Sequence, residues 1–208
     1  LHGSSAASDV YKRQVFILLG PTASGKSKLS MKLSKDFPFE IINADLYSIY
    51  KGLDIGTAKP SNVDLKSTRH HLIDIIEPDK NYNVSKFCSD ASLSIRAIIS
   101  NNKYPLIVGG TMMYVYQLLN GLTHDYNLIK SDSDLIKYIL GKHSYEEIYN
   151  AFKFDTSIPV EKINCNDKYR LEKLLERSIA NHNRCNKYTG LNYQKDIKIN
   201  VIYIDIKD

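Results

Sequence analysis

Two rhythms alternate along the chain. Short, continuous apolar runs stand at VFILL (15–19), EIINA (40–44), HLIDII (71–76), LIVGG (106–110) and INVIYIDIKD (199–208). Runs this short, ended by Gly, Pro or polar residues, predict buried strands. The segments between them carry apolar residues at helical spacing. One helix is predicted from Gly25 to about Asp36, with Leu29 and Leu33 on one face and Phe37-Pro38 as its stop. A second spans 85–101, where Phe87, Ala91, Ile95 and Ile98 recur at helical spacing, and a third runs from about Met112 to Asn120. Strands alternating with helices predict an α/β fold. Its sheet is parallel, helices cover both faces, and the site lies at the carboxyl ends of the strands.

The rhythm breaks at 122–165. THDYNLIKSDSD is polar and turn-like, and two short helical patterns follow at about 133–141 and 144–152, so the stretch reads as a helical insertion into a core at 15–121. Strong helical periodicity returns over 166–185, with Leu171, Leu174, Leu175 and Ile179 on one face and Arg170, Lys173 and Arg177 on another. Residues 166–208 are expected to rejoin the core as a helix and a strand. INVIYIDIKD stops with nothing after it to cover the strand, which points to a chain truncated at its C-terminus. The opening stands apart: SSAASDVYKRQ resembles the conceptual translation of a transposase adapter, so residues 1–14 are left out of the fold reading.

Composition acts mainly by exclusion. A length of 208 residues allows one good-sized domain with an insertion, and 43% apolar with 25% charged residues is an ordinary soluble, globular balance. No apolar run approaches the roughly 20 residues of a membrane span. No signal-peptide core leads the chain, so secretion is not expected. Cys88, Cys165 and Cys185 form no CxxC pair, a usage that suits reduced thiols in the cytoplasm. The net charge of +5, which falls by one without Asp9, Lys12 and Arg13, permits a basic binding face without requiring one.

Candidate chemistry gathers at the strand ends. GPTASGKS (20–27), directly after VFILL, fits G-x-x-x-x-G-K-[ST], the P-loop pattern that usually announces nucleotide binding. Gly20 and Gly25 let successive N–H groups converge on an anion, and the helix opening near Gly25 adds its positive end. Lys26 supplies a mobile cation and Ser27 a hydroxyl for Mg²⁺. The loop therefore holds a di- or triphosphate, and ATP is only one possibility. Asp45 falls at the carboxyl end of EIINA, facing the same crevice; it suits a water-mediated Mg²⁺ ligand, a general base or a plain N-cap. Lys51, Asp54, Thr57 and Lys59 form a polar loop that reads equally well as solvated surface. Thr111, after LIVGG, either presents its hydroxyl to a ligand or caps the next helix. His70 and His71 are adjacent, cannot share one face and have no third ligand nearby in sequence, which argues against a metal site.

Taken in order, GPTASGKS, NADLYSIYKGLDIGTAKP, RHHLIDI, VGGTMMY and NDKYRLEKLLE resemble the tRNA dimethylallyltransferase (isopentenyltransferase) family, strongly over about 15–123 and moderately over 160–180. The resemblance implies a P-loop NTPase-like parallel sheet flanked by helices. It also implies transfer of a dimethylallyl group from dimethylallyl diphosphate to N6 of an adenosine adjacent to the tRNA anticodon, releasing diphosphate. Gly20, Pro21, Thr22, Ala23, Ser24, Gly25, Lys26 and Ser27 would then cradle the diphosphate, with Mg²⁺ as cofactor at Ser27. Asp45 would take the N6 proton, and Thr111 would orient or stabilise the diphosphate. Contacts to tRNA are implied for Asp45, Leu46, Tyr47 and Ser48, and for Tyr169, Arg170, Leu171, Glu172 and Lys173. The expected partners are dimethylallyl diphosphate and the tRNA anticodon stem-loop, and the expected protein is a cytoplasmic monomer.

The chain also departs from the family. Members often read D-S-x-Q where Asp45 is followed here by Leu46, Tyr47 and Ser48, so the glutamine is missing. Residues 122–165 lack the family's Pro- and Arg-containing pattern. The family continues past the point where this chain stops, with later helices completing the RNA surface and the prenyl tunnel. Three rival readings use the same loop. A small-molecule kinase would bind ATP with a lid arginine but leaves GTAKP and HHLID unexplained. An isopentenyltransferase acting on free adenine nucleotides needs neither the basic helix nor the insertion. The third is a fragment that binds diphosphates without turnover.

Overall fold

In the computed structural model, which describes residues 13–57, 59–122, 128–154, 160–180 and 190–205, the apolar runs become the strands of one sheet. VFILL lies in β1 (Gln14–Leu19), EIINA overlaps β2 (Phe39–Asn43) and LIVGG overlaps β4 (Tyr104–Val108); β3 (His70–His71) and β5 (Lys198–Tyr203) form the edges. All pairings are parallel, in the order β3-β2-β4-β1-β5. β4 is central, and β1 lies between it and the β5 edge, with Phe16 opposite Leu106 of β4 and Leu19 opposite Tyr203 of β5. Of the opening segment, residues 1–12 lie outside the described residues; Gln14 begins β1 and Arg13 pairs with Asp196 at 2.8 Å.

Successive strand residues point to opposite faces, so each apolar run feeds two layers at once. On one face Ile17, Ile42 and Ile107 meet α3 (Val84–Ser100) and α4 (Met112–Asn120). The predicted stripe of Phe87, Ala91, Ile95 and Ile98 is fully buried there. The Phe87 and Tyr114 rings stack with centroids 4.5 Å apart, a pairing that contributes roughly 1 kcal/mol beyond its buried area. On the other face Leu18, Ile41, Leu106 and Val108 pack against Leu29 and Leu33 of α1 (Lys26–Asp36). Burial on both faces is why these strands read as unbroken apolar runs rather than as alternation.

The strand predicted over HLIDII shrinks to two residues. Leu72 and Asp74 adopt φ of 61° and 53°, a left-handed backbone that ends pairing with β2. The N–H groups of Asp74 and Ile75 go instead to the carbonyls of Ser48 (3.2 Å) and Ile49 (2.9 Å). Before this turn comes α2 (Asn62–Ser67), opened by a reciprocal cap between Ser61 and Asp64.

The described residues between Leu128 and Ala180 make a second unit. It contains α5 (Lys130–Lys142), α6 (Tyr145–Lys153) and α7 (Lys168–Ile179), around a core that includes Ile136, Ile148, Val160, Leu171 and Leu175. α7 packs on α5 and α6, which is where Leu171 and Leu175 find their burial; the chain rejoins the sheet with the residues after Gly190. A Ser144–Glu147 capping box opens α6, and the Asp167 carboxylate accepts the Arg170 N–H at 3.0 Å to cap α7. Among the described residues no helix is long and apolar enough to cross a membrane. Cys88 is buried and Cys165 exposed, while Cys185 lies outside the described residues.

Candidate active site

Strand order brings three chain segments together. Because β2, β4 and β1 are parallel neighbours, the residues that follow them (Ala44 and Asp45, Gly109 to Thr111, and Gly20 to Ser27) gather at the carboxyl ends of the strands. A cavity of about 950 Å³ opens there, lined by Thr22 to Ser27, Asn43, Asp45, Ser48, Gly109 and Gly110, and extended along α1 past Lys28, Lys32 and Lys35. The strand ends approach very closely. A Cβ on Gly109 would stand 2.2 Å from the Ala44 carbonyl carbon, so only glycine fits. The Ala44 N–H reaches the Val108 carbonyl at 2.8 Å, and the Thr111 N–H reaches the Ala44 carbonyl at 3.2 Å.

The P-loop curls through left-handed Ala23 (φ 64°) and Gly25 (φ 83°), closed by a 3.2 Å bond from the Ser24 N–H to the Pro21 carbonyl. Lys26 is buried, and its Nζ donates to the carbonyls of Gly20 (2.8 Å) and Pro21. Burial draws the Lys26 pKa below its ordinary value, while the nearby Asp45 charge pulls it back up. A lysine held this way has little rotamer freedom left to lose when it meets an anion. Gly20 and Pro21 thus offer their carbonyls to Lys26, and the cavity lining begins at Thr22. Ser27 is exposed on the first turn of α1 and lines the cavity.

Asp45 serves two masters with two oxygens. Its Oδ1 accepts the N–H groups of Tyr47 (2.9 Å) and Ser48 (3.4 Å), capping the short turn Tyr47–Ile49. Its Oδ2 lies on the Gly110 side, 3.7 Å from where a Gly110 Cβ would stand. Thr111 stands at the cap position of α4 but its side chain makes no capping bond there; its Oγ1 accepts the Leu46 N–H at 3.1 Å. Ser27 and Asp45 offer the hard oxygens that Mg²⁺ prefers. Among the described residues no cluster of three or more His, Cys, Asp or Glu side chains could hold a metal ion. A site of one or two protein oxygens completed by phosphate oxygens is the usual Mg²⁺ arrangement, so these residues fit that ion.

The polar loop that sequence could not distinguish from solvated surface divides. Lys51 pairs with Glu77 at 2.6 Å, both half exposed. The Lys59 side chain, only 4% exposed, donates to Asp54 and Asp74, each at 2.7 Å, and to the Tyr50 carbonyl at 2.9 Å. Burial alone would lower the Lys59 pKa, but the two carboxylates outweigh it and hold the ammonium above its usual value. GTAKP and HHLID are therefore two halves of one brace. The histidines separate as well. His70 bonds the Thr68 carbonyl through Nδ1 at 2.8 Å, with burial holding its pKa down, whereas His71 Nε2 meets Glu40 at 2.7 Å.

The other expected contact residues fall in different settings. Leu46 packs against the core, Tyr47 is 61% exposed and Ser48 is buried. In the second unit Tyr169 and Arg170 are exposed, and the Lys173 ammonium lies 5.8 Å from the Tyr169 ring centroid. Glu172 accepts the Tyr145 hydroxyl, and the Leu171 side chain is fully buried. Sequence reasoning missed Asn43 and the three α1 lysines. A polar residue closing an otherwise apolar strand was the available signal for Asn43.

Known proteins resemble this chain in sequence and in fold. The family model described as IPP transferase matches residues 48–208, and the one described as Isopentenyl transferase matches 13–78. A tRNA dimethylallyltransferase of Buchnera aphidicola (subsp. Cinara cedri) is 40% identical over 79% of this chain and 53% of its own length. That of Legionella pneumophila (strain Lens) is 39% identical over 78% and 52%. The chain spans about half the length of the curated relatives it matches. A crystallised eukaryotic dimethylallyltransferase acting on tRNA shares the fold, with a TM-score of 0.71 at 23% identity over 92% of this chain and 48% of that one. With most of its residues under the first of those matches, the chain belongs to the IPP transferase family.

Proposed function

We propose that this chain carries the catalytic core of a tRNA dimethylallyltransferase, which moves a dimethylallyl group from its diphosphate to N6 of an adenosine beside the anticodon. The observation that carries the reading is the shared cavity: the P-loop, the Asp45 carboxylate and the Gly109-Gly110 turn line one space. The diphosphate lies on the amides of the 20–27 loop and on Lys26. N6 attacks the prenyl carbon, the carbon–oxygen bond breaks, and its electron pair leaves with the diphosphate. The N6 proton passes to Asp45 Oδ2. An adenine amine is a weak nucleophile, so a carboxylate placed to accept its proton contributes roughly 10²–10⁴-fold. Fixed N–H groups and Lys26 stabilise the charge that develops on the leaving group. Mg²⁺, held by Ser27 and by diphosphate oxygens, would neutralise further charge there.

The adenine must leave its stack to reach Asp45. Tyr47, exposed and next to that carboxylate, offers a ring for the extruded base in place of the family's glutamine, whose position holds the short, buried Ser48. Tyr169, Arg170 and Lys173 supply a basic, aromatic face for the anticodon stem-loop, and the enzyme acts as a cytoplasmic monomer. The test is to incubate the full-length gene product containing this sequence with labelled dimethylallyl diphosphate, Mg²⁺ and tRNA. Label entering tRNA, at a rate that falls roughly 10²-fold or more in Asp45→Ala, supports the reading. Phosphorylation of a small acceptor from ATP without tRNA labelling would overturn it.

A further inference from the structure

We infer that Asn43 is the positioning residue that sets the Asp45 carboxylate, an assignment that rests on the proposed role of Asp45 as the proton acceptor. Asn43 closes β2, is 8% exposed and lines the cavity. Its carboxamide grips both main-chain groups of Asp45: Oδ1 accepts the Asp45 N–H at 3.2 Å and Nδ2 donates to the Asp45 carbonyl at 3.0 Å. The second Nδ2 hydrogen goes to the Leu72 carbonyl, also at 3.0 Å.

That third bond matters because Leu72 begins the left-handed turn that carries Asp74, and Asp74 is held by Lys59. The peptide of Asp45 is thereby tied to a second, braced loop. With its main chain gripped and its Oδ1 taken by the Tyr47 and Ser48 amides, the carboxylate keeps only one orientation, with Oδ2 toward Gly110. Neither Thr111 nor Lys26 does this: Thr111 bonds the residue after Asp45, and Lys26 reaches Asp45 only through space. A carboxamide is required chemically, because the grip needs one acceptor and two donors on a single planar group.

A double-mutant cycle on the full-length gene product separates positioning from general stabilisation. In the wild-type background Asn43→Ala is expected to lower kcat per folded molecule about tenfold to a hundredfold, with KM for diphosphate and tRNA within about threefold. In the Asp45→Ala background, where no base remains to be placed, the same change is expected to cost under about twofold, read from long labelled incubations. Asn43→Asp keeps the acceptor but loses both donors, so it should fall with Asn43→Ala rather than with wild type. Unchanged kcat in Asn43→Ala, or an equal loss in both backgrounds, would overturn the inference while leaving the proposed reaction standing. Wild-type protein that fails to label tRNA would instead overturn the reaction, and this assignment with it.

Discussion

The Thr111 hydroxyl and the Leu46 amide, 65 residues apart, are joined by a 3.1 Å hydrogen bond in which the threonine oxygen accepts. The GGT turn therefore fixes the residue that directly follows Asp45. Thr111→Val keeps the shape, removes the acceptor and leaves a half-buried N–H without its partner. It should cost about 1–2 kcal/mol of stability and lower kcat by roughly tenfold or more. Thr111→Ser keeps the oxygen and should retain most of both. Denaturant midpoints and steady-state kinetics on the three proteins check this.

Gly109 makes a steric prediction of a different kind. An added Cβ would fall 2.2 Å from the Ala44 carbonyl carbon and 2.3 Å from its oxygen, both backbone atoms that cannot swing aside. Gly109→Ala must separate β2 from β4 where Asp45 leaves the sheet. Overpacking of this sort costs about 1–3 kcal/mol, so the variant should unfold at lower denaturant and lose nearly all activity. Gly52→Ala, whose Cβ would meet nothing within 4 Å, is the control: strained at φ 72° but without a clash, it should disturb activity far less.

The Lys59 brace predicts an asymmetry between its ends. Lys59→Met strips Asp54 and Asp74 of their cation and frees the Tyr50 carbonyl. Because both carboxylates are partly exposed, the loss should be about 1–3 kcal/mol rather than the full cost of breaking a buried pair. Asp74→Asn should cost less, since Asp54 still answers the ammonium. Urea titrations of the two variants would expose a reversal of that order.

Acid should weaken the fold in two steps. Burial lowers the His70 pKa, so below about 6.5 the unfolded chain binds that proton first and stability falls as pH drops through the folded value. Burial pushes the Glu40 carboxyl up, but hydrogen bonds from Lys103 and His71 outweigh it and hold the carboxyl below its ordinary range. Its contribution is complete above about pH 4.3 and is lost as pH falls through the lower folded value. His70→Gln should flatten the upper step only, and Glu40→Gln the lower step only, in denaturation curves recorded across pH.

Much of this was legible in the residues and some was not, for identifiable reasons. VFILL, EIINA and LIVGG declared themselves because burial on both faces removes alternation, and Phe87 to Ile98 because one helical face alone meets the sheet. HLIDII has the same local pattern, yet the long-range bonds from Asp74 to Ser48 and Lys59 win and turn the backbone left-handed. Lys59 read as solvated because its partners lie 5 and 15 residues away, at spacings no periodicity marks. Asp45 looked like either a cap or a functional carboxylate; its two oxygens make room for both. The spacing of Leu171 to Leu175 marked the buried side of α7, and the structure buries both.

The central claim is that the P-loop presents a prenyl leaving group to an adenosine placed at Asp45. It is tested most directly by nucleoside analysis of tRNA after reaction with dimethylallyl diphosphate and Mg²⁺, comparing wild type with Asp45→Asn. The account predicts N6-dimethylallyladenosine in digests from wild type, and a drop of roughly 10²-fold or more in the isosteric variant, which keeps the Oδ1 contacts but cannot take the proton. Unmodified adenosine with wild-type protein, or equal product from Asp45→Asn, would contradict it.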